Sequence, residues 1–105
     1  MQVAPEIKFK EVDRSQWVED YVVERLQHLE RFADDITSCH VTLSQEQASH
    51  HKGNLYSVMV EVRIPPNRDL AAKKERTVGK MPEDLTALIN SAFGAIERQV
   101  KKARR

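Results

Sequence analysis

Four histidines (His28, His40, His50 and His51) and one cysteine (Cys39) have the widest chemical repertoire in this 105-residue chain. A metal ion needs three or four converging ligands. His50 and His51 are adjacent in a Ser/Lys/Gly segment, and no spaced cysteine or acid completes a set around them. Cys39 alternates with Val41 and Leu43, which assigns its thiol to a strand face and to core packing. Gly53, Gly79 and Gly94 are too scattered to cradle a phosphate, and no nucleophile elbow or dinucleotide fingerprint is present. The chain therefore reads as non-enzymatic, with no metal, no cofactor and no small-molecule substrate.

The basic residues carry more information. The last eight residues, RQVKKARR, hold five bases and no acid. On a helical projection Arg98, Lys102 and Arg105 share one flank at i, i+4 and i+7, with Lys101 beside them. Like charges at this spacing repel and add nothing to the helix itself. Cations at a helix C-terminus are favoured by its dipole, which accounts for two of them; a phosphate partner accounts for all five. Both readings of the cluster stand at this point. Arg25 falls among the apolar positions of an earlier helix, between Val18, Val22 and Phe32. Its head group either snorkels to water or emerges at a seam between two helices. In the second case Arg25 would form one wall of a basic groove and Arg98 with Lys102 the other. His28, three residues on, lies toward Tyr21.

The elements that must position these residues follow from periodicity. Ile7 and Phe9 alternate with charged residues, as in a half-buried strand. Ser15 is the expected N-cap of a helix over 16–33, ended by Asp34-Asp35, in which Val18, Val22, Leu26, Leu29 and Ala33 form one apolar stripe widened by Trp17, Tyr21 and Phe32. Cys39, Val41 and Leu43 mark the inner face of a second strand. Tyr56, Val58, Val60, Val62 and Ile64 mark that of a third. The polar segment QASHHKGN between them predicts an antiparallel hairpin, and Pro65-Pro66-Asn67 ends the third strand. Leu70 to Val78 is expected as a fourth, edge strand protected by its charged centre, Lys73-Lys74-Glu75-Arg76. Pro82, Glu83 and Asp84 suit the start of a last helix reaching Lys102, with Leu85, Ile89, Ala92, Ile96, Val100 and Ala103 as its buried stripe. The order β-α-β-β-β-α predicts an α+β fold: a four-stranded sheet with both helices on one face and the other face open to water.

Whole-chain properties bound the function. The length suits one domain, 1–105, with one core. Hydrophobic residues at 40% and charged residues at 31% fit a folded rather than a disordered chain. No apolar run reaches the ~18 residues of a membrane span, the segment MQVAPEIKFK lacks the apolar core of a signal peptide, and one cysteine excludes an internal disulfide. A cytoplasmic, non-membrane setting is expected. Net charge is +1, but residues 1–46 hold ten acids and five bases, and residues 47–105 six acids and twelve bases. That asymmetry argues for a directed basic face rather than a general polyanion binder.

Three segments carry a family resemblance: VVERLQHLERFADDITSCHVTLS, HHKGNLYSVMVEV and GKMPEDLTALINSAFGAIERQVKKARR. In order and spacing the chain resembles the bacterial ribosome hibernation promoting factors and ribosome-associated inhibitors, also labelled sigma-54 modulation proteins. The resemblance implies a fold shaped like a double-stranded-RNA-binding domain. It also implies binding to the 30S subunit and its 16S rRNA near the decoding region, with steric block of mRNA and tRNA. The positions matching the family's RNA contacts are Arg25, Lys80, Arg98, Lys101, Lys102 and Arg104. His28 stands where many relatives have lysine or arginine, and Arg105 extends the basic run. Glu19 and Ala95 replace basic residues found in other members, and GKMPEDL is one residue longer than the common form. Long members add a C-terminal domain that pairs ribosomes; since the sequence stops at Arg105, direct dimerisation by that route is not expected. A general structured-RNA-binding domain and a protein-interaction module are the alternatives that the residues alone leave open.

Overall fold

Period-two apolar patterning produces the sheet, and two amphipathic helices close over one of its faces. The computed structural model describes residues 4–31, 33–46 and 54–103. In chain order the elements are β1 (Glu6–Lys10), α1 (Gln16–Glu30), β2 (Ser38–Glu46), β3 (Asn54–Ile64), β4 (Arg68–Val78) and α2 (Glu83–Ala103). The α+β fold expected from the sequence is the one observed.

The sheet is mixed, with spatial order β1-β2-β3-β4. β1 runs parallel to β2, with Ile7 opposite Val41 and Phe9 opposite Leu43. A parallel neighbour requires a crossover, and α1 supplies it. β2–β3 and β3–β4 are antiparallel, with Val41 opposite Val60 and Val60 opposite Ala72. One row of side chains thus faces the helices on all four strands. Cys39, Val41, Leu43, Tyr56, Val58, Val60, Val62, Ile64, Ala72 and Val78 are buried there, with Val18, Val22, Leu26 and Leu29 of α1 and the apolar stripe of α2. The opposite face carries Lys8, His40, Glu61, Arg63 and Lys73, all exposed.

Several local expectations need revision. Ser15 does occupy the N-cap of α1, in extended backbone (φ −131°, ψ 123°), but its hydroxyl makes no capping bond. The first turn is held instead by Glu19 N–H donating to Ser15 O (3.1 Å) and by the pairs Arg14–Glu19 and Gln16–Asp20. α1 stops at Glu30, before the Asp34-Asp35 pair; Ala33 stays in the core without being helical. β4 starts at Arg68, two residues earlier than its apolar pattern indicates, because Arg63 and Ile64 pair across the turn with Asp69 and Arg68. As expected, β4 is an edge strand, and Lys73, Lys74, Glu75 and Arg76 are exposed on it. Phe32, His50 and His51 lie outside the described residues.

Candidate nucleic-acid interface

Two bonds fix how the helices lie together. Tyr21 Oη–H donates to Asn90 Oδ1 at 2.7 Å, and Arg25 Nη2 donates to Glu97 Oε2 at 2.7 Å. Both partners advance in the same chain direction, so α1 and α2 run parallel. Their C-terminal ends, each the negative end of a helix dipole, therefore lie at the same end of the molecule. His28 occupies the last turn of α1; Lys101 and Lys102 occupy the last turn of α2. All three are exposed, and the parallel register puts His28 and Lys101 at the same level of the seam.

Arg25 does emerge at the seam, but in company. Its side chain is 24% exposed and its ion-pair partner Glu97 14%. The guanidinium carbon lies 5.8 Å from the centroid of Phe93, within cation–π range, while Nε is buried without a hydrogen-bond partner. Glu97 therefore balances the charge that Arg25 brings to the seam. Arg98, one residue on, is exposed and folds back along α2, with Nη1 3.5 Å from where a Cβ on Gly94 would stand.

Lys102 faces the other way. It lines a depression with Arg68, Asp69, Leu70, Gln99 and Ala103, on the β4 side of α2. The structure thus does not bring Arg25, Arg98 and Lys102 into one groove: the first is at the seam, the second lies back along α2 over Gly94, the third overlooks the sheet edge. Lys80 is at the opposite end of the molecule, exposed in the turn before α2. Arg104 and Arg105 lie outside the described residues.

The turn that presents Lys80 is rigidly built. Asp84 Oδ2 accepts the N–H groups of Gly79 (3.0 Å) and Lys80 (2.9 Å), and Asp84 N–H donates back to Lys80 O (2.9 Å). Arg76 Nη2 reaches Asp84 Oδ1 at 3.4 Å. The two backbone donors, Lys80 foremost, hold the Asp84 carboxyl below its usual range, and Arg76 adds to the effect. This reciprocal cap fixes the first turn of α2 and leaves the Lys80 side chain to project.

Burial pushes the Cys39 thiol up to about 12, so it is protonated at neutral pH. His40 Nδ1 meets Glu6 Oε2 at 2.8 Å on the open sheet face. Among the described residues no three His, Cys, Asp or Glu side chains gather around a possible metal position. What the geometry offers is a set of projecting cations on a rigid frame. A family model described as Sigma 54 modulation protein / S30EA ribosomal protein matches residues 6–105.

The chain belongs to that family. Its fold is shared by a ribosomal subunit interface protein from Coxiella burnetii, with a TM-score of 0.71, 17% identity and 94% of each chain covered. It is shared too by the N-terminal domain of Protein Y from Thermus thermophilus, with a TM-score of 0.71, 22% identity and coverage of 95% of this chain and 98% of that one. No curated protein sequence matches this one. Within the family fold, sequence reasoning named the charged centre of β4 but not the side to which its cations point, and it left out Arg68. Counting back by twos from buried Val78 puts Arg76, Lys74 and Arg68 on the helix side of the edge strand. That alternation was available in the sequence, but the charged centre of β4 hid it. Arg68 Nη1 is 3.5 Å from Ala103 O at the end of α2.

Proposed function

We propose that this protein is a ribosome-associated translation inhibitor. It binds the small subunit near the decoding region and blocks mRNA and tRNA by occupying their sites. The family match over residues 6–105 carries the reading, and the projecting cations support it. Arg98, Lys101 and Lys102 of α2, with His28 at the neighbouring end of α1 and Lys80 at the far turn, meet phosphates of 16S rRNA; Arg104 and Arg105 extend the run. Arg25 contributes from the seam, shared with Glu97. Inhibition is steric, performs no covalent chemistry, uses no cofactor and takes place in the cytoplasm.

Co-sedimentation with purified small subunits tests the proposal. If five of these contacts neutralise a phosphate, at about 0.9 log units of affinity per log unit of salt each, binding is roughly 10²–10³-fold weaker at 200 mM than at 50 mM salt. Bound tRNA and mRNA should be displaced in the same range. Absence of co-sedimentation at about 50 mM salt defeats the proposal, and full competition by free duplex RNA would replace the ribosome with structured RNA in general.

A further inference from the structure

Arg68 is the first residue of β4, directly after the Pro65-Pro66-Asn67 turn. Its position in the pleat, in phase with Leu70 and Ala72, sends its side chain to the helix side of the sheet edge. There Nη1 reaches the Ala103 carbonyl at 3.5 Å. That carbonyl belongs to the last turn of α2, where unpaired C=O groups hold a guanidinium in place. Arg68 spends one of five N–H donors on it. Lys102 approaches from α2 and shares with Arg68 the walls of an open depression of about 400 Å³. A second depression of about 450 Å³, along Ile64 to Arg68, meets the first at Arg68 and Ala103.

Among the described residues, no acid balances this pair of cations. The one acid in the first depression, Asp69, is turned to Arg63: Nε donates to Oδ1 at 2.6 Å and Nη2 to Oδ2 at 3.1 Å. Among the described residues neither Arg68 nor Lys102 forms an ion pair. The frame is fixed on both sides, because Gln99 Nε2 donates to the Ala71 carbonyl at 2.8 Å and ties α2 to the edge strand. A planar guanidinium with free forked donors beside a flexible ammonium matches the oxygens of a phosphodiester.

We propose that Arg68 and Lys102 form a phosphate clamp for an RNA backbone strand running along the junction of β4 and α2. The clamp rests on the reading of the chain as an RNA binder. It adds Arg68, and a site on the β4 side of α2, away from the seam between the helices.

Two measurements on the full chain test it. In the first, amide and side-chain NMR signals are followed as a short RNA duplex is added. Residues 68–70 and 99–103 should shift together, whereas shifts confined to the seam, or none, overturn the clamp. A poly-glutamate peptide that moves the same signals while the duplex does not would assign the site to an acidic protein and equally overturn it. In the second, Arg68→Gln and Lys102→Gln are compared in salt-dependent co-sedimentation with small subunits. Each should flatten the log–log slope by about one unit and the double variant by about two. Lys8→Gln, on the open sheet face, should leave the slope alone. Slopes unchanged in both variants, while the parent binds, remove the clamp and spare the ribosome assignment. Duplex-induced shifts at 68–70 and 99–103 with no co-sedimentation of the parent uphold the clamp and remove the ribosome.

Discussion

At the residue scale, environment decides what each reactive or charged side chain can do. The Cys39 thiol, 2% exposed and pushed up to about 12, has almost no thiolate at neutral pH. A colorimetric thiol reagent at pH 8 should label it only at the rate of global or local opening. Rapid labelling without denaturant would show that the core is open at β2. Arg25 and Glu97 form a half-buried pair, so removing one partner strands the other. Glu97→Gln should cost about 1–3 kcal/mol, below the 3–5 kcal/mol of a fully buried pair because water still reaches both groups. Exchanging both for apolar residues of similar size should recover most of that loss. Urea unfolding of the two singles and the double gives the coupling directly; additive losses would mean that the 2.7 Å contact contributes no stability.

At the element scale, α2 is the most deeply embedded helix. Phe93, Ile96 and Val100 are each fully buried. Phe93→Ala should lose about 3–5 kcal/mol, since the ring fills space between α1 and the sheet and its loss leaves a cavity. An unfolding midpoint close to the parent's would show that α1 collapses into the gap. β4 poses the opposite problem: its outer edge is exposed and would template pairing with other chains. The charges at Lys73, Lys74 and Arg76 protect it. Lys74→Val with Arg76→Val should keep the monomer's secondary structure yet raise concentration-dependent light scattering. Unaltered scattering would shift the protective role to α2, whose Gln99 already engages the Ala71 carbonyl.

At the scale of the whole molecule, two carboxylates tie stability to acid. Asp84 is held below its usual range by the N–H groups of Lys80 and Gly79, and Asp69 by its hydrogen bonds from Arg63. A carboxylate whose pKa is lowered by folding adds stability that is fully present above the ordinary value near 4 and lost as pH falls through the folded value. The urea midpoint should therefore decline below about pH 4. In Asp69→Asn and Asp84→Asn it should start lower at pH 7 and decline less steeply. A parent curve flat down to pH 2 would exclude both linkages. The same global view explains the bases at the ends of the helices. Because α1 and α2 are parallel, two negative dipole ends coincide, and His28, Lys101 and Lys102 answer that field before any partner arrives.

The sequence by itself determined the order of elements, the inward row of each strand and the stripe of α2, because side-chain period follows directly from backbone geometry. It also marked β4 as a charged edge and Arg25 as a cation on an apolar face. Its terminal signals were weaker: the stripe of α1 ran past Glu30 to Ala33, since a buried residue after a helix looks like one inside it. Only the tertiary structure decided which flank of each helix meets the other. A projection gives angles around one axis and says nothing of the neighbour. Once α1 lies against Asn90 and Glu97, Phe93 is enclosed, Arg25 acquires a counter-ion, and Lys102 turns toward Arg68 instead of the seam. Pairing of distant residues, which no local pattern encodes, therefore set the layout of the basic surface.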